Sequence, residues 1–341
     1  MILSKEQKNV LREIVKLKSP IQTLGGFAGT GKTTVIRYLT DVFPDFAVCS
    51  YTGKAANVLR KKGIGDASTI HSLIYKLMED QDDGKLYFEL NHLIPCSGVI
   101  VDEASMVTKE IYDDLRSYGL PLIFVGDHGQ LAPVGDDFNL MQSPNFVLET
   151  IHRNAGEIAY FAEWLRKGLP ASKFPAENRV KLVKGVSNDV KLKADQIICA
   201  YNKQRVKLNH EVRKLLGFDG MVQVGDKVMS LRNNQKRGLF NGMQGVITAL
   251  DGTLLTFDTD NGVFSVNYDC SQFGEAVYEF NNEKDAPHPF DYAYCVTAHK
   301  SQGDEFSNVL VYESNCERWD NKRWNYTAAS RAKNCLIWSL A

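Results

Sequence analysis

The sequence of 341 residues lacks long apolar runs, and its 44% apolar and 24% charged content is typical of a soluble globular protein. Its longest apolar segments fall far short of the roughly 20 residues that cross a bilayer, so we expect no transmembrane helix. The first seven residues lack a basic segment followed by an apolar one, so we expect no secretory signal. These absences predict a cytoplasmic protein without a membrane partner.

Patterns typical of zinc sites and disulfide frameworks are also missing. Seven cysteines, at positions 49, 96, 199, 270, 295, 316 and 335, form no C-x-x-C pair and no cluster with histidine at zinc spacing. We therefore expect reduced, mostly buried thiols. The formal net charge of −1 neither supports nor excludes a nucleic-acid partner, because a basic groove can coexist with an acidic exterior.

The stretch GFAGTGKT, Gly26–Thr33, matches the phosphate-loop pattern G-x-x-x-x-G-K-[ST]. An apolar run precedes it, and a helical stripe of apolar residues follows it, so the loop should join a strand to a helix. In that setting backbone amides and the helix N-terminus bind phosphate, Lys32 reaches the β- and γ-phosphates, and Thr33 ligates Mg²⁺. The alternative is a glycine-rich turn with an incidental lysine.

Two further strands end in polar residues that suit nucleotide hydrolysis. Val99–Val101 runs into Asp102 and Glu103, of which the first would hold Mg²⁺ and the second would orient and deprotonate the attacking water. The next strand leads to Gln130, an amide able to sense the γ-phosphate. The alternatives are a strand that ends in two solvated acids and, for Asp127 and His128, plain turn residues.

Strand-like and helical segments alternate in two parts of the chain, which predicts two α/β units with parallel sheets. Between them, short alternating strands with turn signals at Asp251-Gly252 and Asn261-Gly262 predict a small antiparallel barrel. The predicted boundaries are residues 1–147 for the first unit, 148–216 and 288–341 for the second, and 217–287 for the barrel. Tyr326–Ala332 is among the predicted helices.

Nine stretches in order resemble the motifs of superfamily 1 DNA helicases of the RecD/Dda type, the 5′-to-3′ branch known as superfamily 1B. They are LSKEQ (3–7), GFAGTGKT (26–33), SYTGKAA (50–56), STIHSL (68–73), VIVDEASM (99–106), VGDHGQLAPVG (125–135), LETIHRN (148–154), VTAHKSQGDEF (296–306) and YTAASRAK (326–333). The resemblance implies two RecA-like P-loop NTPase domains, with a short β-hairpin inserted at about residues 74–96 of the first and a β-barrel in the second.

The resemblance also assigns residues to ATP and Mg²⁺. Gln7 would read the adenine edge, and Glu305 resembles a glutamate that contacts the ribose. Arg153 and Arg331 would be two arginine fingers, supplied by the second unit to a nucleotide bound on the first, although a lone arginine is more often a surface group. The remaining nucleotide-binding positions that it implies are Gly26, Ala28, Gly29, Thr30, Gly31, Lys32, Thr33, Thr34 and Asp102.

A second group of residues resembles family positions that contact single-stranded DNA. Hydroxyl and basic groups suit phosphate oxygens, and such contacts bind without reading base sequence. A helix cap or a buried hydrogen bond is the alternative for any one of them. The positions are Thr52, Lys54, Thr69 and His71 in the first unit and Asn202, Thr297, His299, Lys300 and Ser301 in the second, and Asn209 is considered for the same groove.

The two insertions suggest how duplex strands would be separated. The segment from Asp82 to Leu90 reads as a turn followed by an alternating strand, where relatives carry a β-hairpin wedge. Because Phe88 shares a face with two leucines, we interpret it as a core residue and assign DNA contact to Tyr87 or the turn. In the barrel, three basic residues would hold DNA or form a solvated edge. They are Arg232, Lys236 and Arg237.

Three functions remain open at the level of sequence. They are an ATP-dependent DNA helicase that acts on single-stranded, forked or tailed DNA, a translocase that remodels protein complexes without unwinding, and a non-catalytic single-strand-binding subunit. The intact catalytic positions argue against the last; they are Lys32, Asp102, Glu103, Gln130, Arg153 and Arg331. Relatives imply a protein that functions as a monomer in the cytoplasm of a bacterium or a phage-infected host, with replication or recombination proteins as partners.

Overall fold

The computed structural model describes residues 3–79, 86–132, 138–151, 156–234, 237–279, 286–315 and 319–341. The chain divides into two compact units, which we call the first unit (Met1–Met78 and Tyr87–Tyr160) and the second unit (Glu79–Leu86 and Phe161–Ala341). No helix in the described part of the chain is long and apolar enough to span a bilayer.

The first unit contains a parallel six-stranded sheet with the strand order β3-β2-β6-β7-β1-β8. Its strands are β1 (Ile21–Gly26), β2 (Phe46–Ser50), β3 (Ser68–Thr69), β6 (Gly98–Asp102), β7 (Leu122–Gly126) and β8 (Phe146–Leu148). Its helices are α1 (Lys5–Val15), α2 (Lys32–Val42), α3 (Gly53–Lys61), α4 (Ile70–Ile74) and α5 (Lys109–Ser117). Two further strands, β4 (Tyr75–Glu79) and β5 (Leu86–Leu90), pair as a separate two-stranded sheet.

Helices cover both faces of this sheet, because its central strands are apolar on both sides. In β6, Ile100 packs in a core cluster with residues of α1 and α2, whereas its neighbours Val99 and Val101 pack in a second cluster with residues of α5. The predicted parallel α/β architecture is confirmed. The carboxyl ends of the strands meet at one edge, where the loops that carry the sequence motifs begin.

The second unit contains a parallel five-stranded sheet with the order β16-β10-β17-β18-β9. Its elements are β9 (Val180–Val183), α7 (Asn188–Lys193), β10 (Gln196–Cys199), α8 (Asn202–Leu215), β16 (Cys295–Thr297), β17 (Phe306–Tyr312), α9 (Asn321–Ala329) and β18 (Ala332–Ser339), and α6 (Gly156–Arg166) contains the boundary between the units. The helix predicted at 326–332 is therefore wrong at its end: Ser330 is the C-cap and Ala332 already begins a strand.

Five strands of the second unit form a closed barrel: β11 (Lys227–Ser230), β12 (Gln244–Asp251), β13 (Leu254–Thr259), β14 (Gly262–Asp269) and β15 (His288–Tyr292). The hairpin predicted at Asp251-Gly252 is present, since Asp251 pairs with Leu254 and Gly252 has a φ of 56°. One seam differs from the predicted antiparallel pairing. There β14 and β15 run parallel, with Tyr268 opposite His288.

The barrel ends later in the sequence than the predicted residue 287, because its last strand is His288–Tyr292. Only two residues separate this strand from β16 of the sheet, whereas eleven separate α8 from β11. In the first unit, β8 likewise extends one residue past the predicted boundary at 147. Strand pairing sets the end of the barrel and the end of the first sheet, and the amino-acid composition does not reveal which strands pair.

One face of α8 anchors the barrel through polar side chains at spacings of four residues. Arg205 forms a buried ion pair with Asp291, and Arg213 forms a bidentate one with Asp226, at 2.9 Å for Nε to Oδ1 and 3.0 Å for Nη2 to Oδ2. Between them, the Asn209 side chain binds the backbone where β15 leads into β16. Because residues four apart lie on the same helix face, a single helix positions the barrel against the sheet.

Candidate nucleotide-binding site and nucleic-acid contacts

The loop between β1 and α2 has the backbone that its glycine pattern predicts. Gly29 and Gly31 have φ values of 80° and 82°, in the left-handed region that favours glycine. A Cβ at Gly26 would lie 2.7 Å from the Thr30 hydroxyl oxygen, so the close approach requires glycine there as well. Because α2 begins at Lys32, the loop and the first turn of the helix present backbone amides to an anion.

The Lys32 side chain lies against this loop. Its ammonium donates to the carbonyl oxygens of Gly26 and Phe27, at 2.8 and 3.2 Å, and lies 3.7 Å from the Asp127 carboxylate. The Lys32 side chain is 17% exposed, and that of Asp127 is 1% exposed. The ammonium is thus within the loop that would hold phosphate, in the position that the motif predicts for contact with the outer phosphates.

Asp127 is a site residue that the sequence reasoning missed. Its Oδ1 accepts from the Gly129 amide at 2.9 Å, so the interpretation as a turn residue is correct but incomplete. Its Oδ2 lies near the Lys32 ammonium. The same oxygen is 3.4 Å from the side-chain nitrogen of Gln130, and Gln130 is buried. The available signal was its position directly after β7, at the edge where the other motif residues lie.

The two acidic residues lie at the carboxyl end of β6, a strand separated from β1 in the sheet only by β7. Asp102 is the last residue of the strand, and its burial raises the pKa of the carboxyl, an effect opposed by Lys32. Glu103 has a φ of 54° and a ψ of 40°, a left-handed backbone that is uncommon for a residue with a side chain. Such strain typically costs about 1–3 kcal/mol and is often found at functional sites.

The oxygen donors at this edge fit a magnesium ion bound together with a nucleotide. Thr33 supplies a hydroxyl and Asp102 a carboxylate, and hard cations such as Mg²⁺ prefer oxygen ligands. Among the described residues, no group of three or more histidine, cysteine, aspartate or glutamate side chains could hold a metal by itself. Mg²⁺ would therefore be held by few protein ligands and by phosphate oxygens, an arrangement common for this ion.

Gln7, predicted to read the adenine edge, lies close to the phosphate loop. It forms a capping box with Ser4 at the start of α1, and its side-chain nitrogen donates to the Thr30 carbonyl oxygen at 3.1 Å. Gln7 is 3% exposed. The side chain therefore fixes α1 against the loop, and its contact with adenine stays a prediction. Of the remaining loop positions, Ala28 lies in the turn, and the Thr34 amide donates to Gly31 at 3.0 Å.

The structure describes only one of the two predicted arginine fingers. Arg153 lies outside the described residues. Arg331 follows α9 and is 4% exposed, and its guanidinium donates to the carbonyl oxygens of Thr327 and Asp304 at 3.0 and 3.1 Å. In this conformation its donors bind the second unit's own backbone, and its role at a phosphate stays a prediction. Glu305, predicted at the ribose, is an exposed residue paired with Lys333 at 3.2 Å.

The predicted DNA contacts of the first unit lie at the carboxyl edge of β2 and β3. Ser50 of β2 pairs with Thr69 of β3. The Thr52 hydroxyl caps α3, and the Thr69 hydroxyl forms a capping box at α4, so both have the structural role that the sequence left open as an alternative. Lys54 lies in the first turn of α3 and is partly exposed. Contact of these residues with DNA remains a prediction.

His71 belongs to an aromatic cluster at the base of the two-stranded sheet. Its ring centroid lies 5.3 Å from that of Tyr75 and 6.0 Å from that of Phe88, and burial lowers the pKa of its imidazole. The interpretation of Phe88 as a core residue is wrong. The side chain is 50% exposed, because β5 belongs to a separate two-stranded sheet and not to the central sheet. Tyr87 is in the same strand, and its contact with DNA stays a prediction.

The predicted DNA contacts of the second unit follow two neighbouring strands. Cys199 of β10 pairs with Thr297 of β16, and Asn202 opens α8 as an exposed residue. The Lys300 ammonium donates to the Asn241 side chain in the barrel at 2.9 Å. Burial lowers the pKa of Lys300 and that of His299.

Two residues considered for the groove are interior. The Ser301 hydroxyl is buried and donates to the Ala298 carbonyl oxygen at 2.8 Å, so this conformation does not present it to a ligand. The Asn209 side chain is fully buried. Its amide nitrogen donates to two carbonyl oxygens, and its oxygen accepts from the Cys295 amide.

Of the three basic residues predicted in the barrel, Arg232 donates to the Ala286 carbonyl oxygen, Arg237 is exposed, and Lys236 lies outside the described residues.

Two family profiles match the chain in the order of its units. The AAA domain family matches residues 2–188, which is more than half of the chain, and the UvrD-like helicase C-terminal domain matches residues 292–337. The first match includes the phosphate loop, both acids and Gln130. The second includes β16, β17, α9 and Arg331.

Curated relatives include several ATP-dependent DNA helicases. The RecD2 helicase of Deinococcus radiodurans is 26% identical over 372 residues, which cover 97% of this chain and 48% of the relative. The PIF1 helicase of Danio rerio is 25% identical over 409 residues, covering 97% and 60%, and the Dda helicase of Enterobacteria phage T4 is 29% identical over 136 residues, covering 37% and 31%. The chain thus spans less than two thirds of the length of each of these relatives.

Solved structures support the same fold. Bacteroides Pif1 bound to single-stranded DNA superposes with a TM-score of 0.67 at 22% identity, covering 99% of this chain and 92% of that one. Pif1 from Candida albicans superposes with a TM-score of 0.58 at 20% identity, covering 99% and 94%. The similarity confirms the predicted pair of RecA-like folds.

Proposed function

Because the chain belongs to the RecD/Pif1 type of superfamily 1B helicases, we propose that it hydrolyses ATP to move 5′ to 3′ on single-stranded DNA and to separate duplex strands. The proposal comes from the family and from the residues that the first unit gathers at one sheet edge. RecD2, Dda and PIF1 are ATP-dependent DNA helicases by name, and one Pif1 structure describes unwinding at forked DNA.

The observation that carries the proposal is the convergence of three motifs at the carboxyl edge of the first sheet. The phosphate loop follows β1, Asp102 and Glu103 lie at the end of β6, and Gln130 follows β7, which lies between those strands. Lys32 would bind the outer phosphates, Glu103 would accept a proton from the attacking water, and Gln130 would orient that water. Mg²⁺, held through Thr33 and Asp102, would neutralise charge on the phosphates.

Hydrolysis is tested by measuring the ATPase rate with and without single-stranded DNA. We expect DNA to raise the rate manyfold and Lys32→Ala to abolish it, because the ammonium lies against the phosphate loop and donates to two of its carbonyl oxygens. Thr40→Ala, in the same helix but distant from the loop in sequence, is the control and should hydrolyse ATP normally. A rate that DNA does not change, or a Lys32→Ala variant with full activity, would contradict the proposal.

Polarity and unwinding are tested together on forks that carry only a 5′ or only a 3′ single-stranded tail. We expect separation of the 5′-tailed fork alone. Separation of the 3′-tailed fork would overturn the proposed direction while leaving the ATPase assignment intact. Contacts through backbone phosphates would make the rate largely independent of the tail sequence.

The second candidate function is translocation that remodels protein complexes without unwinding. The two-stranded sheet β4–β5 favours the helicase, because its exposed aromatic residue Phe88 lies 6.0 Å, ring centroid to ring centroid, from His71, a predicted DNA contact. Replacing residues 76–89 with a short Gly-Ser turn should abolish fork separation and preserve the DNA-stimulated ATPase. Unwinding that persists in this variant would remove the hairpin from the mechanism.

A further inference from the structure

The two strands of the β4–β5 hairpin are joined at their base by hydrogen bonds of Asn91. Its backbone amide donates to the Ile74 carbonyl oxygen at 2.7 Å, and its side-chain nitrogen donates to the Leu73 carbonyl oxygen at 3.0 Å. Leu73 and Ile74 precede β4, and Asn91 follows β5. These bonds define the hairpin base, by which we mean residues 73–75 and 90–91.

Helix α5 holds this hairpin base through two tyrosine hydroxyls. The Tyr118 hydroxyl lies 2.7 Å from the carbonyl oxygen of Asn91 and 3.1 Å from that of Ile74, so a single group contacts both sides of the base. One turn earlier on the helix, Asp114 accepts a short hydrogen bond from the Tyr75 hydroxyl. The base is therefore bound at two points, four residues apart on one helix face.

The same helix follows the catalytic acids through a short and buried connection. Asp102 ends β6, Glu103 takes its left-handed turn, and the short 3-10 helix Ala104–Met106 leads to Thr108, whose hydroxyl caps α5. Ala104 and Val107 are almost completely buried. The connection between Glu103 and α5 is therefore short and anchored by buried side chains.

We propose that Asp114 and Tyr118 are positioning residues, which hold the hairpin in register with the nucleotide site so that each cycle of hydrolysis is coupled to strand separation. The inference rests on the proposed function and assigns it a coupling element within the first unit. It concerns the base of the hairpin and not the residues that would contact DNA. Without these bonds the motor would hydrolyse ATP normally and separate fewer base pairs for each ATP.

The test compares the fork-unwinding rate with the DNA-stimulated ATPase rate in Tyr118→Phe, Tyr75→Phe and Asp114→Ala. Each should lower the ratio of unwinding to hydrolysis by about two- to ten-fold, the scale expected for one hydrogen bond, with hydrolysis nearly unchanged. A general loss of folding would lower both rates together. Asp114→Asn keeps a side-chain oxygen as acceptor and should restore most of the ratio.

The matched control is Tyr112→Phe, which removes a hydroxyl from the same helix while its ring stays packed against Phe124. It should leave the ratio unchanged. Normal ratios in Tyr118→Phe and Asp114→Ala, in an assay where the wild type unwinds and the variant without residues 76–89 does not, would overturn the coupling inference alone. A wild type that does not unwind would overturn the proposed function and this inference with it.

Discussion

Each unit places a basic side chain beside a buried aspartate, but the geometry of the two pairs is different. In the first unit, the Lys32 ammonium is 3.7 Å from Asp127 and the lysine side chain is 17% exposed. In the second unit, Arg213 binds Asp226 through two nitrogens at 2.9 and 3.0 Å, and the two side chains are 4% and 0% exposed. One pair is loose and partly hydrated, and the other is closed.

The difference indicates which charges serve chemistry and which serve folding. Two further N–H groups of Arg213 bind the carbonyl oxygens of Gly220 and Met221, so four of the five guanidinium N–H groups are bound within the fold. The Lys32 ammonium binds two carbonyl oxygens of its own loop and can exchange them for phosphate oxygens. Burial of a charge is therefore a poor guide to function unless its contacts are counted as well.

The largest effect on stability is expected from removing one member of the closed pair. Arg213→Met should lower the free energy of unfolding by about 3–5 kcal/mol, because Asp226 would be left buried without its cation. The measurement is urea unfolding followed by circular dichroism. The double variant Arg213→Met with Asp226→Leu should recover most of the loss, and a single variant as stable as the wild type would show that the pair contributes little.

A smaller effect is expected from a histidine in the barrel that is buried near positive charge. Burial, with Arg232 and Arg237, lowers the pKa of His288 to about 4, whereas an unfolded histidine titrates near 6.5. Protonation therefore favours the unfolded state, so stability is full above about pH 6.5 and declines as the pH falls towards 4. The loss is at most about 3.5 kcal/mol, since the two pKa values differ by about 2.5 and one pKa unit corresponds to about 1.4 kcal/mol.

The His288 contribution is the free energy of unfolding of the wild type minus that of His288→Asn. Both are measured by urea unfolding at a series of pH values. The difference should change between pH 6.5 and 4 and be flat above that range. His92→Asn, the same substitution at an exposed position of the first unit, is the control for the substitution itself. A flat difference for His288→Asn would contradict the assigned direction of the shift.

The smallest effect on stability is expected at the loose pair. Lys32→Met should change the free energy of unfolding by less than about 1 kcal/mol, because a long, partly exposed ion pair contributes little. The same variant should lose ATP hydrolysis, which separates its two roles within one protein. Equal losses of stability in Lys32→Met and Arg213→Met would remove the distinction between the two pairs.

The local motifs could be read from sequence because each is a short segment with its own backbone requirement. The phosphate loop needs glycines with positive φ at 29 and 31, and the structure has them. The acids at 102 and 103 follow a continuous apolar strand, and that strand lies in the centre of the sheet. The order of these segments was sufficient to predict the family and the pair of RecA-like folds.

The features that sequence did not predict depend on contacts between distant segments. Phe88 alternates like a core residue, but its exposure follows from the separate pairing of β5. Asn209 and Ser301 fall within motif-like stretches, yet the structure turns both side chains to the interior. The sequence predicts Asp127 only as a turn residue, because its contact with Lys32 depends on the fold.

The junctions of the barrel with its host sheet are unequal, and this limits how barrels can be exchanged between relatives. At the entry, eleven residues separate α8 from β11, and Arg213 binds three of them, Gly220, Met221 and Asp226. At the exit, only Ala293 and Tyr294 separate β15 from β16, and the Tyr294 hydroxyl binds Asp226. A transplanted barrel therefore needs an aspartate at the position of Asp226 to keep the contacts with Arg213 and Tyr294 of its host.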